Sequence, residues 1–192
     1  LNNFTSVYGA DAVAAMGIAQ KVNMVPMYIS QGLSQGFMPL ISYNYASGNT
    51  KRMKEGLVFV VKLAMPFMVM VSLGYYLFAG PLVGLFMNNQ AIIDYGTKFL
   101  HGFCLGLPFL CMDFVAVGVF QACGMGSRAL VFAILRKIVL ELPALYVLNR
   151  LFPLYGLSYA QFVTEVILAF AAVITLLRIF QRLSKRGSKL QK

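Results

Sequence analysis

Six acidic side chains occur in this chain, and two of them stand where a carboxylate is expensive. Asp113 lies near the middle of an apolar run from Thr97 to Ala122, and Glu165 lies in the outer half of another from Leu157 to Leu177. At the centre of a hydrocarbon layer an ionised Asp costs about 2.5 to 3.5 kcal/mol on insertion scales unless it is paired, hydrated or protonated. The chemistry such a group offers is cation binding, with a proton, a sodium ion or an organic cation competing for the same oxygens. A fixed structural hydrogen bond is the alternative. Other polar groups read more plainly. Glu141 follows Lys137 by four residues and can pair with it along a helix. His101 is a lone imidazole close to a helix end, a place for an interfacial hydrogen bond more than for a ligand or a proton relay.

Cys104, Cys111 and Cys123 share one apolar stretch without Cys or His partners at metal-ligand spacing, so they read as small buried apolar residues and not as a disulfide framework. With one His, no Gly-rich phosphate loop and no nucleophile beside a base, neither an enzyme nor a bound metal or organic cofactor is expected.

The elements that must carry these groups follow from composition. Hydrophobic residues make up 59% of the 192 positions and charged residues 11%, against about 25% charged in a soluble domain. A span of the bilayer takes about 20 largely apolar helical residues. The sequence predicts an all-α, polytopic transmembrane bundle, with spans near 12–42, 57–79, 97–122, 127–148 and 157–177. Residues 1–8 read as the end of an earlier, sixth helix, 1–180 as one membrane lobe, and 181–192 as a basic cytoplasmic tail. Opening on Leu1 within an apolar-to-loop transition, the chain has the look of part of a longer protein.

A formal charge of +10 would also suit nucleic acid, but the basic residues alternate with long apolar segments instead of forming one patch. Lys51, Arg52 and Lys54 follow the first span, Arg128, Arg136 and Lys137 follow the third, and Arg178, Arg182 and the tail follow the fifth. The positive-inside rule puts those three regions, and the C-terminus, in the cytoplasm of a cell that carries this protein in its plasma membrane, with Asp11 outside.

Helical projection of the first span places Gln20, Asn23, Met27, Gln31, Ser34 and Met38 in one stripe, with Gln35 at its edge. These groups either hydrogen-bond neighbouring helices or line a polar cavity. Pro26 and Pro39 complicate the phase, because each removes a backbone bond and can kink the helix. In the third span Asp113 shares a stripe with Gly102, Gly106, Phe109 and Ala116, whose small members let another helix come close. Glu165 shares an inward face with Ser158, Gln161 and Ala169.

The run from Gln31 to Asn49, ending Ala46-Ser47-Gly48-Asn49 before a basic loop, resembles the eighth helix and following loop of multidrug and toxic compound extrusion (MATE) transporters. Gln121-Ala122-Cys123-Gly124-Met125-Gly126 and Leu135-Arg136-Lys137 followed by Leu142-Pro143 add to the resemblance, which covers nearly the whole chain. It implies one lobe of a two-lobe transporter, helices eight to twelve with the end of helix seven, whose partner is a missing N-terminal lobe. It also implies export of drugs or organic cations in exchange for protons or sodium ions. Cys111-Met112-Asp113 looks like the tenth-helix segment that carries a coupling carboxylate in some members, and Glu165 resembles an acidic position early in the twelfth. Candidate cavity residues are Gln20, Asn23, Met27, Gln31, Ser34, Gln35 and Phe109. A flippase for lipid-linked oligosaccharide or peptidoglycan precursors, of related architecture, is the competing reading; it would favour several cations in the cavity to meet pyrophosphate.

Overall fold

The computed structural model describes residues 5–190, and within them the secondary structure is helical throughout, with no strand. A 3-10 turn, Ser6–Tyr8, leads into α1 (Ala10–Ala46), α2 (Thr50–Leu77), the short α3 (Ala79–Gly84) and α4 (Gln90–Ala122). Next, α5 (Gly126–Ile134) passes through a π-helical segment, Leu135–Glu141, into α6 (Leu142–Leu151), and α7 (Gly156–Leu190) follows. The expected end of an earlier helix falls partly on residues 1–4, outside the described residues, as do the last two residues of the basic tail.

Among the described residues, three helices are long and apolar enough to cross a membrane by composition: Thr50–Leu77, Gln90–Ala122 and Gly156–Leu183. α1 is long enough, since 37 residues rise about 55 Å, but it is diluted by the amides and hydroxyls noted above. α4 is the axis of the lobe, with α1, α2 and α7 packed along it. It is apolar on nearly every face, as a fully surrounded helix must be, and buries Phe99, Phe103, Leu107, Leu110 and Phe120. α2 has the opposite character. It buries Met53, Leu57, Ala64 and Met68 and turns Phe59, Leu63, Met70 and Leu73 outward, the arrangement of a lipid-facing helix.

Glycines set the spacing between α4 and its neighbours. A Cβ at Gly102 would run into the Ser158 hydroxyl of α7, and one at Gly106 would lie 3.5 Å from the Phe162 Cα. Gly118 faces the Ser34 hydroxyl of α1 in the same way. The close partner of the small-residue stripe around Asp113 is therefore α7.

Prolines inside α1 and α4 leave main-chain carbonyls without helical donors four residues earlier. α1 nevertheless runs unbroken through Pro26 and Pro39. The Val22 carbonyl opposite Pro26 accepts from the Tyr75 hydroxyl at 3.4 Å, and the Cys104 carbonyl opposite Pro108 accepts from Ser72 at 2.6 Å. Both donors come from α2, so the freed carbonyls become interhelical ties.

Candidate functional site

Asp113 of α4 and Glu165 of α7 are 2% and 1% exposed, and they meet at a single guanidinium. Arg136 donates from Nη2 to Glu165 Oε1 at 2.7 Å and places Nη1 3.5 Å from Asp113 Oδ2. Its Cζ lies 5.1 Å from the centroid of the Phe114 ring, a cation–π contact on the α4 side. Pairing is incomplete. Asp113 Oδ1, Glu165 Oε2, Arg136 Nε and the neighbouring Thr164 Oγ1 are buried with no hydrogen-bond partner among the described residues. Two carboxylates against one guanidinium leave the ionised cluster one negative charge in excess, in a medium where such an excess is costly.

Local sequence explains how Arg136 arrives there. Pro143 offers no N–H to the carbonyl four residues earlier, and its ring presses on that turn. The helix ahead of it widens into the π segment Leu135–Glu141 instead of breaking. Along that segment Arg136 points into the lobe at 13% side-chain exposure, while Lys137 points out at 67% and pairs with Glu141 at 2.8 Å. This corrects the sequence-based placement of Arg136 with the cytoplasmic positive charges: it belongs to the interior, and Lys137 alone of the two behaves as an exposed cation.

The stripe on α1 divides. Asn23 and Ser34 are buried, Gln20, Met27 and Gln31 are half-buried, and Gln35 is exposed. Ser34 donates to the Phe114 carbonyl at 2.7 Å, which ties α1 to α4 one residue beyond Asp113. Asn23 Oδ1 is buried with no partner among the described residues. Phe109 packs edge-on against Phe162 of α7, with ring centroids 5.9 Å apart and planes at 70°. His101 has Nε2 3.0 Å from the Tyr76 carbonyl and stacks on the Tyr76 ring at 4.1 Å, the interfacial role its position suggested. Cys104, Cys111 and Cys123 are buried and free.

Phe114 and Thr164 are absent from the sequence-based candidates, and Arg136 enters them only as a cytoplasmic cation and as part of the run Leu135-Arg136-Lys137. One signal was available, since Arg136 lies well inside an apolar segment whose length suits a span. The adjacent Lys137 gave it an ordinary explanation. A cavity of about 480 Å³ between α2 and α7 is lined by Lys51, Lys54, Leu57, Met112 and Leu176, among others, and touches none of the candidate site residues. The carboxylate pair sits inside the helix packing.

Comparison with known proteins places this geometry. A family model described as MatE matches residues 1–147. The multidrug export protein MepA of Staphylococcus aureus (strain bovine RF122 / ET3-1) is 33% identical over 190 residues, 99% of this chain and 42% of the relative. MepA of Staphylococcus saprophyticus is 32% identical over 184 residues, 96% of this chain and 40% of the relative. The chain therefore spans about two fifths of the length of these curated relatives. Among solved structures, the Vibrio cholerae MATE transporter VcmN in its bent form superposes with a TM-score of 0.86 at 19% identity, over 96% of this chain and 41% of that one. A MATE transporter in the straight conformation gives 0.89 at 19% identity, over 96% and 42%. These likenesses establish the fold of one transporter lobe.

Proposed function

Because the chain belongs to the MatE family, we propose that it forms the C-terminal lobe of a plasma-membrane exporter that ejects amphipathic, often cationic compounds in exchange for protons or sodium ions. The observation that carries this reading is the buried pair Asp113 and Glu165, held by one guanidinium with an oxygen of each carboxylate left unpaired. Oxygens of this kind, deep in an apolar bundle, are sites that a mobile cation stabilises.

The rest of the lobe supports the same cycle. A coupling cation and an organic cation would compete for the Asp113 and Glu165 oxygens, so that entry of one expels the other. Gln20, Asn23, Met27, Gln31, Ser34, Gln35 and Phe109 would contribute the polar and polarizable lining against which varied substrates adapt. Rocking of this lobe against the absent N-terminal lobe would expose the site alternately to each side, with the C-terminus in the cytoplasm as the alternating basic loops suggest. Precursor flipping is less well supported. Its pyrophosphate substrate needs an excess of positive charge, and the Arg136 guanidinium is outnumbered by the carboxylates it meets.

The decisive experiment uses the full-length transporter in proteoliposomes loaded with ethidium, under imposed proton or sodium gradients. Gradient-driven efflux by the wild type and its loss in Asp113→Asn are the expected results. Efflux unchanged in Asp113→Asn would remove that residue from coupling.

A further inference from the structure

We propose that Arg136 is a tethered cation that holds the carboxylate pair while no mobile cation is bound, and that an arriving cation displaces it from Asp113 while Glu165 retains it. This rests on the exchange reading above and assigns unequal roles to the two carboxylates.

The contacts are themselves unequal. Charge-assisted N–H···O bonds run about 2.7 to 2.9 Å. The Glu165 contact, at 2.7 Å, is a full hydrogen bond, whereas the Asp113 contact, at 3.5 Å, is an ion pair without that bond. Arg136 also has a second hold that does not depend on Asp113, because its guanidinium lies over the Phe114 ring. Letting go of Asp113 thus breaks an ion pair that lacks a hydrogen bond, and leaves both the Glu165 bond and the Phe114 contact in place.

A permanent structural pair would look different. Arg and a carboxylate satisfy one another best as a two-bond fork, with remaining lone pairs met by other donors. Here the two terminal nitrogens are divided between two acids, and Nε, Asp113 Oδ1 and Glu165 Oε2 find no hydrogen-bond partner among the described residues. Arg is suited to the part because its planar guanidinium can bond one carboxylate while it stacks on an aromatic ring. The other charged pair on the same segment, Lys137 and Glu141, is closed upon itself at 2.8 Å and does not contend for Asp113. The π segment places Arg136 where helix register is adjustable, a recurrent feature of functional sites.

The functional consequence is moderated affinity. A site with two bare buried carboxylates would bind an organic cation too tightly to release it; one with a resident guanidinium makes each arrival an exchange.

The test compares wild type, Arg136→Gln and Arg136→Lys in the full-length transporter. Equilibrium binding of tetraphenylphosphonium at fixed pH and salt should become at least about tenfold tighter in Arg136→Gln, because a competing charge in contact with the site has been removed. Turnover in proteoliposomes should fall severalfold in the same variant, and Arg136→Lys should stay close to wild type in both. Tighter binding with slower efflux is a combination that simple misfolding does not produce. Unchanged or weaker binding in Arg136→Gln overturns the proposal.

Should that variant not fold, Arg136→Gln/Glu165→Gln removes the cation together with its retaining partner and leaves Asp113 bare, so binding at least as tight as that of the wild type is expected, and weaker binding overturns the proposal. If the wild type binds no organic cation, the exchange reading fails by itself. The displacement is then read from selectively 15N-labelled arginine in nanodiscs. Asp113→Asn should shift the Arg136 Nη signals modestly and Glu165→Gln strongly, and equal shifts would overturn the unequal roles.

Discussion

The Ser72 hydroxyl donates to the Cys104 carbonyl at 2.6 Å, and that carbonyl is the one Pro108 leaves without a helical donor. A proline in the central helix is thus tolerated because a neighbouring helix supplies the missing hydrogen. Ser72→Ala should strand a buried acceptor, at a cost of about 1 to 3 kcal/mol. Thermal unfolding of the full-length transporter in detergent would register this as a lowered midpoint. In a Pro108→Ala background, where the helix can serve its own carbonyl, the same substitution should cost much less.

Close packing of α4 on α7 gives a second prediction, with an internal control. An added Cβ at Gly102 would meet the Ser158 side chain and approach its backbone carbon to 3.2 Å, whereas one at Gly106 finds ordinary contacts from 3.5 Å outward. Gly102→Ala should therefore cost on the order of 1 to 3 kcal/mol through overpacking, and Gly106→Ala should be nearly neutral. Ser158→Gly should rescue Gly102→Ala in the same melting assay. Equal destabilisation at the two glycines would contradict the helix spacing described above.

How far all this could be read from the sequence depends on the interaction involved. Asp113 and Glu165 stand out because a carboxylate in an apolar run violates composition, and composition is legible residue by residue. The helices themselves follow from long apolar stretches between basic loops. What unites the two acids is a third residue on another helix, and Arg136 had a sufficient local explanation as a loop cation next to Lys137. Its true direction depends on the π segment ahead of Pro143, a register change of one residue that hydrophobic periodicity does not resolve. The donor that serves the Val22 carbonyl opposite Pro26 was hidden for a similar reason: it is Tyr75, on α2. Pairwise ties between helices are the part of this lobe that a linear reading lacks.

Glu165→Gln supplies a third prediction. Neutralising Glu165 weakens the strongest hold on Arg136 and leaves the guanidinium free to move fully onto Asp113. Gradient-driven dye efflux should then fall as in Asp113→Asn, although Asp113 is intact. Adding Arg136→Gln to that variant should restore dye binding, since Asp113 is relieved of its competitor. The two substitutions would then be strongly non-additive, as expected for residues in one charged network. Additive losses in ethidium binding and efflux would show that they act independently.

Pro143 provides the last prediction, because it lies just past the π segment that aims Arg136 into the lobe. With Pro143→Ala the backbone regains an N–H for the carbonyl four residues earlier and loses the ring that crowds it. The segment can then relax to ordinary α geometry, which holds one residue fewer per widened turn and rotates the preceding side chains about the helix axis. Arg136 would swing away from Glu165, and two buried acids would lose their common cation. A helix without an interior proline is locally the better helix, but two buried acids without their cation cost about 3 to 5 kcal/mol, so the melting midpoint should fall. Efflux should drop severalfold, with tetraphenylphosphonium bound more tightly than by the wild type, as in Arg136→Gln. Wild-type efflux in Pro143→Ala would mean that Arg136 reaches the carboxylates without help from the π segment.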